Sequence, residues 1–216
     1  MRTVKWLLIC GVCSPVLYIL TDLLCGNIYK DYSFNEQAVS ELFAIGAPTS
    51  HIVVPLFTAS SILMLFFALG IYFSSDKNKI LKILSFMIAA NAIDSIILWN
   101  YFPMNMRGVP RAFTDKMHGI LAVNPFILLS IILGIFIYKN WFRYYSIIVI
   151  LILLIPAFIS FSSITLFIEN KPTPWMGITE RIAQYDHMTW HAILAIVLIK
   201  QNNTIEWKET HKIEEN

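Results

Sequence analysis

Six apolar runs, each long enough to cross a bilayer, constrain the fold of this chain more than any other feature. They cover about residues 4–25, 51–73, 83–102, 117–138, 141–168 and 178–199. A membrane-spanning helix needs about 20 apolar residues, each rising about 1.5 Å. Charged residues make up 14% of the chain, against about 25% in a soluble domain. The sequence therefore predicts an all-α, single-domain integral membrane bundle of six transmembrane helices over residues 1–216.

Lysine and arginine fall unequally on the two sides of this predicted bundle. The side with both termini holds ten: Arg2, Lys5, Lys77, Lys79, Lys82, Lys139, Arg143, Lys200, Lys208 and Lys212. The other side holds six: Lys30, Arg107, Arg111, Lys116, Lys171 and Arg181. The positive-inside rule then places both termini, with a polar tail at 201–216, in the cytoplasm of a cell-membrane protein. A net charge of +2 without a basic cluster argues against nucleic acid and leaves membrane lipids as the expected partners.

The longest outer loop, residues 26–50, carries a helix signal of its own. Ser33 and Glu36 have capping-box spacing, and Gly46 followed by Pro48 supplies a stop. Apolar residues recur between them at helical spacing, namely Phe34, Ala38, Val39, Leu42, Phe43 and Ile45. The polar side holds Glu36, Gln37, Ser40 and Glu41. We predict a short amphipathic helix on the outer surface.

The last apolar run is polar in its first half. Glu180, Gln184, His187 and His191 are separated by four, three and four residues, so they share one helix face. Counting inward from the outer boundary at 1.5 Å per residue places His187 about 10 Å deep and His191 about 15 Å deep. Charged and polar groups at such depth must face protein or water rather than lipid. Arg181 and Asp186, which lie on the same segment, are therefore further site candidates.

Two histidines at i and i+4 can bind one metal ion. His187 and His191 have this spacing, and His118 is the candidate third ligand, although counting from Lys139 puts His118 at the outer boundary. Zinc in catalytic sites takes three protein ligands and acidifies a bound water. Asp94, about 12 Å below the outer boundary, or Asp186 would then serve as base or orient a ligand. This hypothesis predicts a zinc-dependent hydrolase acting on a lipid amide or ester.

Three alternatives remain open at this point. The histidines and Asp94 fit a structural network of hydrogen bonds between helices. They also fit a protonatable path in a small proton-coupled transporter or membrane sensor that handles a small molecule. The polar face also fits a structural protein that binds a partner helix. Glu180 and Arg181 can form a mutual ion pair, and the CxxC-spaced Cys10 and Cys13 fit buried small apolar residues better than a redox site.

Short motifs in three segments resemble one membrane-protein family. The last helix reads Gly177-Ile-Thr-Glu-Arg-Ile182, the first outer loop holds Val39-Ser-Glu-Leu42, and the fourth run opens with His118-Gly-Ile-Leu-Ala122. Together they resemble the bacterial and archaeal family called domain of unknown function 998. The resemblance implies a multi-helix inner-membrane protein and no particular activity.

A second resemblance is to the superfamily of alkaline ceramidases and progestin-receptor-like proteins. In that superfamily the last helix carries HxxxH, which His187 and His191 match here. The resemblance implies zinc ligation by these two with His118, and a catalytic role for Asp94. This chain departs from the pattern, because Thr114 replaces the expected serine and Asp94 precedes His118. Seven spans are usual in that superfamily, and six are predicted here.

Overall fold

Helices account for all regular secondary structure in the part of the chain that the structure, a computed structural model, describes. That part comprises residues 2–138, 141–169 and 171–214. The elements are α1 Arg2–Ile28, a 3-10 helix Val39–Phe43, α2 Ser50–Ser74, α3 Lys79–Tyr101, α4 Phe113–Ala122, α5 Pro125–Ile137, α6 Trp141–Ser162, α7 Ile164–Ile168 and α8 Met176–Glu214. The all-α class is confirmed.

Five segments are long and apolar enough to cross a membrane, judged by length and composition. They are Thr3–Ile28, Ser50–Ser74, Lys79–Tyr101, Phe113–Ile137 and Trp141–Ile159. These helices support the prediction of a multi-pass membrane protein. The prediction of six spans is not confirmed, because the polar first half of α8 lowers its hydropathy.

The six principal helices pack as a closed ring in the order α1, α2, α3, α5, α6 and α8, with α8 returning to α1. Side-chain caps fix the first residues of two of these helices. Asn78 begins α3 by accepting hydrogen bonds at its side-chain oxygen from Ile80 N and Leu81 N, and Asn124 begins α5 in the same way through Phe126 N. Side-chain caps of this kind satisfy N–H groups that a helix start leaves free.

One end of the ring, which we call the tail end, is filled by apolar side chains. All six principal helices contribute to this cluster, through Leu8, Phe67, Leu84, Ile131, Phe142 and Leu194, each with no exposed surface. The opposite end carries residues 29–49 between α1 and α2, and we call it the loop end. Apolar packing therefore closes the tail end, and the buried charged pairs lie at the loop end.

The loop at residues 29–49 differs from the predicted amphipathic α-helix. Residues 34–37 form a turn, and only Val39–Phe43 is helical, as a 3-10 helix. The predicted cap contact does form, since Glu36 N donates to Ser33 Oγ at 3.3 Å. An α-helix does not follow because the carbonyl groups of residues 34–37 accept hydrogen bonds from distant parts of the chain, described below.

Three further boundaries differ from the predicted runs. The fourth run is divided into α4 and α5 at residues 123–124, because Pro125 has no N–H to continue the helix. The fifth run is divided into α6 and α7 at Ser163. The helix α8 continues through the predicted polar tail to Glu214, a segment rich in the good helix formers Glu and Lys.

Candidate functional site

Two ion pairs with buried carboxylates hold the loop end together, and we call them the loop-end clamp. In the first, Arg181 on α8 contacts Asp22 on α1 through two parallel hydrogen bonds, Nε to Oδ2 at 2.8 Å and Nη2 to Oδ1 at 2.9 Å. The exposed fraction is 8% for the Arg181 side chain and 0% for Asp22. Tyr185 also donates its hydroxyl to Asp22 Oδ2. Because charge-assisted bidentate pairs are among the strongest hydrogen bonds in proteins, this pair fixes α8 against α1.

The second pair of the clamp joins Arg107 to Glu41 on the 3-10 helix. Arg107 Nε donates to Glu41 Oε2 at 2.7 Å, and its Nη2 donates to Oε1 at 2.8 Å. Glu41 is buried, with 5% of its side chain exposed. The same Nη2 group lies 2.9 Å from Thr173 Oγ1. One arginine thus joins the loop to the segment that precedes α8.

Between the two arginines lies the turn at residues 34–37, all four of whose carbonyl groups accept hydrogen bonds. Arg181 Nη1 donates to the carbonyls of Phe34 and Gln37, both at 3.0 Å. Gly177 N, in the first turn of α8, donates to Asn35 O at 2.9 Å, and Arg107 Nη2 donates to Glu36 O at 2.9 Å. This carbonyl turn is therefore held by donors that are distant in sequence, from Arg107 and from the first part of α8.

Tyr32 and Glu180 complete the polar layer beneath the turn. Arg181 Nη2 donates to the Tyr32 hydroxyl at 2.5 Å, and that hydroxyl in turn donates to Ala38 O at 2.8 Å. Burial raises the pKa of Tyr32, and the neighbouring Arg181 charge only partly offsets the rise. The phenol therefore stays neutral and keeps its donor hydrogen at physiological pH. Glu180 accepts a hydrogen bond at Oε2 from Val39 N at 3.2 Å.

One to three helical turns further along α8, the polar face enters the interior of the ring. His187 and His191 are 4% and 2% exposed, and their ring centres are 5.9 Å apart. His187 Nδ1 lies 3.2 Å from its own helix carbonyl at Ala183. By contrast, His191 Nδ1 and Asp186 Oδ2 are buried polar atoms that have no hydrogen-bond partner within the described part of the chain. Such an atom costs about 1–3 kcal/mol relative to a paired one.

The other predicted site residues occupy different places. Glu180, Arg181 and Glu41 belong to the loop end, as described above. Ser40 lies half-buried on the 3-10 helix, and Gln184 lies half-buried on α8. Glu180 and Arg181 on α8 therefore contact the loop at residues 29–49.

His118 and Asp94 lie apart from the α8 histidines. His118 on α4 lies between Trp99 and Phe43, with ring-centre distances of 4.6 and 6.0 Å, and its Nδ1 is 3.0 Å from Phe102 O. Asp94 on α3 accepts a hydrogen bond from Asn124 at 3.3 Å. Within the described ranges, neither α3 nor α4 contacts α8.

The proposed zinc ligands can be tested against this geometry. A catalytic zinc site needs three protein ligands around one point. His187 and His191 are neighbours, but His118 lies on a helix that does not contact theirs. Among the residues that the structure describes, no group of three or more histidine, cysteine, aspartate or glutamate side chains is placed to hold a metal ion. The described residues therefore do not fit the three-histidine zinc site.

Sequence reasoning missed several residues that carry the loop end. Asp22 and Arg107 were not among the candidates, and neither was Thr173 or Tyr32. A signal existed for Asp22, because a carboxylate near the end of an apolar run needs a cationic partner at the same depth, and Arg181 was at that depth. The partner of Glu41 had no comparable signal, since Arg107 lies in an irregular segment 66 residues away.

Comparison with known protein families gives one assignment. A family model described as "Protein of unknown function (DUF998)" matches residues 12–197. No curated protein and no solved structure matches the chain. Since the matched region exceeds half of the 216 residues, the chain belongs to the DUF998 family.

Proposed function

We propose that this DUF998 family member is a small proton-coupled carrier or sensor in the cell membrane that binds a small polar solute on the inner face of α8. The observation that carries the proposal is that two buried polar atoms of α8, Asp186 Oδ2 and His191 Nδ1, have no hydrogen-bond partner among the residues that the structure describes. An isolated polar atom in an apolar interior is unfavourable, so a proton, water molecule or solute that pairs with it is bound favourably. Ionisable groups within a membrane bundle are functional by default.

In this proposal α8 acts as a sixth span, and both termini lie in the cytoplasm, as the ten-to-six distribution of basic residues indicates. The α8 face then lies in the outer half of the membrane. The apolar cluster at the tail end separates it from the cytoplasm, and the clamped loop covers it on the other side. Alternating access requires the two ends of such a site to open in turn, so in this proposal the clamp loosens transiently to admit water and solute.

Proton flux into liposomes tests the proposal. Purified protein is reconstituted with a trapped pH-sensitive dye, and a pH gradient is applied in the presence of pooled small polar solutes such as amino acids, sugars and organic acids. We expect dye responses above those of protein-free vesicles, and we expect Asp186→Asn to abolish them. The matched control is Asp115→Asn, because Asp115 lies at the loop end in an ion pair with Arg111.

Elemental analysis of the same samples separates this proposal from hydrolysis. One zinc ion per chain, lost in a His187→Ala/His191→Ala double variant, would favour the zinc-dependent hydrolase and overturn the carrier. Folded protein that gives neither flux nor metal would support a structural role for the polar face instead.

A further inference from the structure

Beside the loop-end clamp lies a third carboxylate, that of Glu180, for which the clamp supplies no arginine. Arg181 is paired with Asp22, and Arg107 is paired with Glu41. Glu180 belongs to none of the ion pairs among the described residues. The clamp and Glu180 together contain three carboxylates and two guanidinium groups, so one negative charge is left over. A charge held away from bulk water is stabilised by a cation that pairs with it.

Arg181 follows Glu180 directly on α8, but its N–H groups are already used. Its Nε and Nη2 donate to Asp22, and Nη2 also donates to the Tyr32 hydroxyl. Its Nη1 donates to three backbone carbonyls. A guanidinium group has five N–H donors, and these contacts occupy all of them. The neighbouring arginine therefore donates no hydrogen bond to the Glu180 carboxylate.

The Glu180 carboxylate has one oxygen that is open to a ligand. Its Oε2 accepts a hydrogen bond from Val39 N at 3.2 Å, whereas no group in the described part of the chain donates to Oε1. The residue is half-buried, and Oε1 is not one of the fully buried atoms that lack a partner. Oε1 thus keeps accessible surface, and a solute at the loop end can reach it.

The next two residues on the same helix face also have unused hydrogen-bonding groups. Gln184 is half-buried, and its side chain forms no hydrogen bond with the described residues. His187 is 4% exposed, and its Nδ1 lies 3.2 Å from the carbonyl oxygen of Ala183. Because a carbonyl oxygen only accepts, Nδ1 carries the hydrogen, and Nε2 of the neutral ring presents a lone pair. No group within the described ranges donates to this nitrogen.

We propose that the solute of the α8 face is a small linear aliphatic amine, whose ammonium group is bound by Glu180 and whose second hydrogen-bond donor reaches His187. The inference rests on the function proposed above and names its substrate class. Oε1 and Nε2 both accept hydrogen bonds, and a carboxylate binds an ammonium group strongly. An anionic solute would be repelled by the Glu180 charge. His187 follows Glu180 by seven residues, about 10 Å along the helix, so a chain with donors at both ends fits this face.

Equilibrium binding of radiolabelled 1,4-diaminobutane to the purified full-length protein tests the proposal. We expect saturable binding that unlabelled diamine displaces. We expect no displacement by 1,4-butanediol, which has the same carbon chain and two donors but no charge. Glu180→Gln keeps an acceptor oxygen for Val39 N and removes the charge, so we expect the affinity for the diamine to fall about tenfold or more.

A second variant tests the other end of the solute. His187→Phe keeps a planar ring and removes the acceptor nitrogen. We expect it to weaken binding of the diamine and to leave binding of 1-aminobutane unchanged, because this monoamine has no second donor. Glu36→Gln is the matched control, since Glu36 is an exposed carboxylate of the same loop and its substitution should not change the binding of either amine.

Three results would overturn the proposal: no saturable diamine binding by monodisperse wild-type protein, equal affinity in wild type and Glu180→Gln, or displacement by the diol as effective as that by the diamine. The liposome assay separates this failure from failure of the carrier. Dye responses to sugars or organic acids that Asp186→Asn abolishes would leave the carrier standing with another substrate class. Loss of both amine binding and dye responses would overturn both proposals.

Discussion

Replacing Asp22 by alanine tests the loop-end clamp most severely. The change removes both hydrogen bonds to Arg181 and the one from Tyr185. Arg181 remains buried, at 8% exposure, with its charge uncompensated. Loss of one partner of a buried ion pair costs about 3–5 kcal/mol.

Thermal unfolding in detergent measures this cost. For a chain of this size each kcal/mol corresponds to about 2–4 °C, so Asp22→Ala should lower the apparent Tm by about 6–20 °C. Asp22→Asn keeps one acceptor oxygen, replaces the other by an N–H2 donor and removes the charge, so its Tm should fall between those of Asp22→Ala and wild type. Hydrogen exchange in residues 33–43 should rise in parallel, because Arg181 orients the carbonyl turn.

The matched control is the ion pair between Glu169 and Lys171. It has a similar distance of 2.7 Å, but the two side chains are 48% and 60% exposed. Exposed pairs contribute about 0–1 kcal/mol, so Glu169→Ala should move Tm only slightly. If Asp22→Ala behaves like Glu169→Ala, the buried clamp does not exist as described.

Two further substitutions probe specific contacts. Gly177→Ala would place its Cβ 2.3 Å from Gln37 O and should displace the carbonyl turn, which would be seen as faster proteolysis within residues 33–43. Gly119→Ala is the control, because no atom lies within 4 Å of the added Cβ, and it should not change proteolysis. Equal digestion of both variants would contradict the packing of Gly177 against the carbonyl turn. Ser146→Ala removes the acceptor 2.9 Å from the buried Trp190 indole N–H and should cost about 1–3 kcal/mol in thermal unfolding, whereas an unchanged Tm would show that the indole finds another partner.

Much of the architecture could be predicted from the apolar runs, because run length and composition determine which segments can span a bilayer. The interruption at Asn124 and Pro125 also had a local signal, since Asn-Pro commonly begins a turn or helix. That signal was outweighed by the continuous apolar composition of residues 117–138. The sequence analysis therefore predicts one helix over residues 117–138, where the structure has the two helices α4 and α5.

The loop at residues 29–49 could not be predicted in the same way. Its local pattern favours an α-helix, and the Ser33 cap contact forms as expected. The competing donors, Arg107, Gly177 and Arg181, lie between about 70 and 150 residues further along the chain. Tertiary hydrogen bonds to the turn carbonyls therefore override local propensity, and no local pattern contains them.

The α8 stripe shows how much of a site a sequence can indicate. Helical spacing correctly predicts that His187 and His191 are neighbours on one face. Spacing within one helix carries no information on which other helices pack against it, so it could not predict that His118 lies away from His187 and His191. The ring order, in which α8 lies between α6 and α1, decides that question.

Thiol labelling of the α8 face tests the central claim, that this face opens to water and solute, most directly. In a variant lacking Cys10, Cys13 and Cys25, a cysteine replaces His187, or Ile196, which is 43% exposed on the apolar part of the helix. Both proteins are placed in liposomes and treated with a membrane-impermeant thiol reagent. We predict that His187→Cys reacts and Ile196→Cys does not, and that Arg107→Gln, by loosening the clamp, accelerates only the former. Equal lack of reaction at both positions, with and without the clamp, would contradict the account and identify the polar face as a sealed structural network.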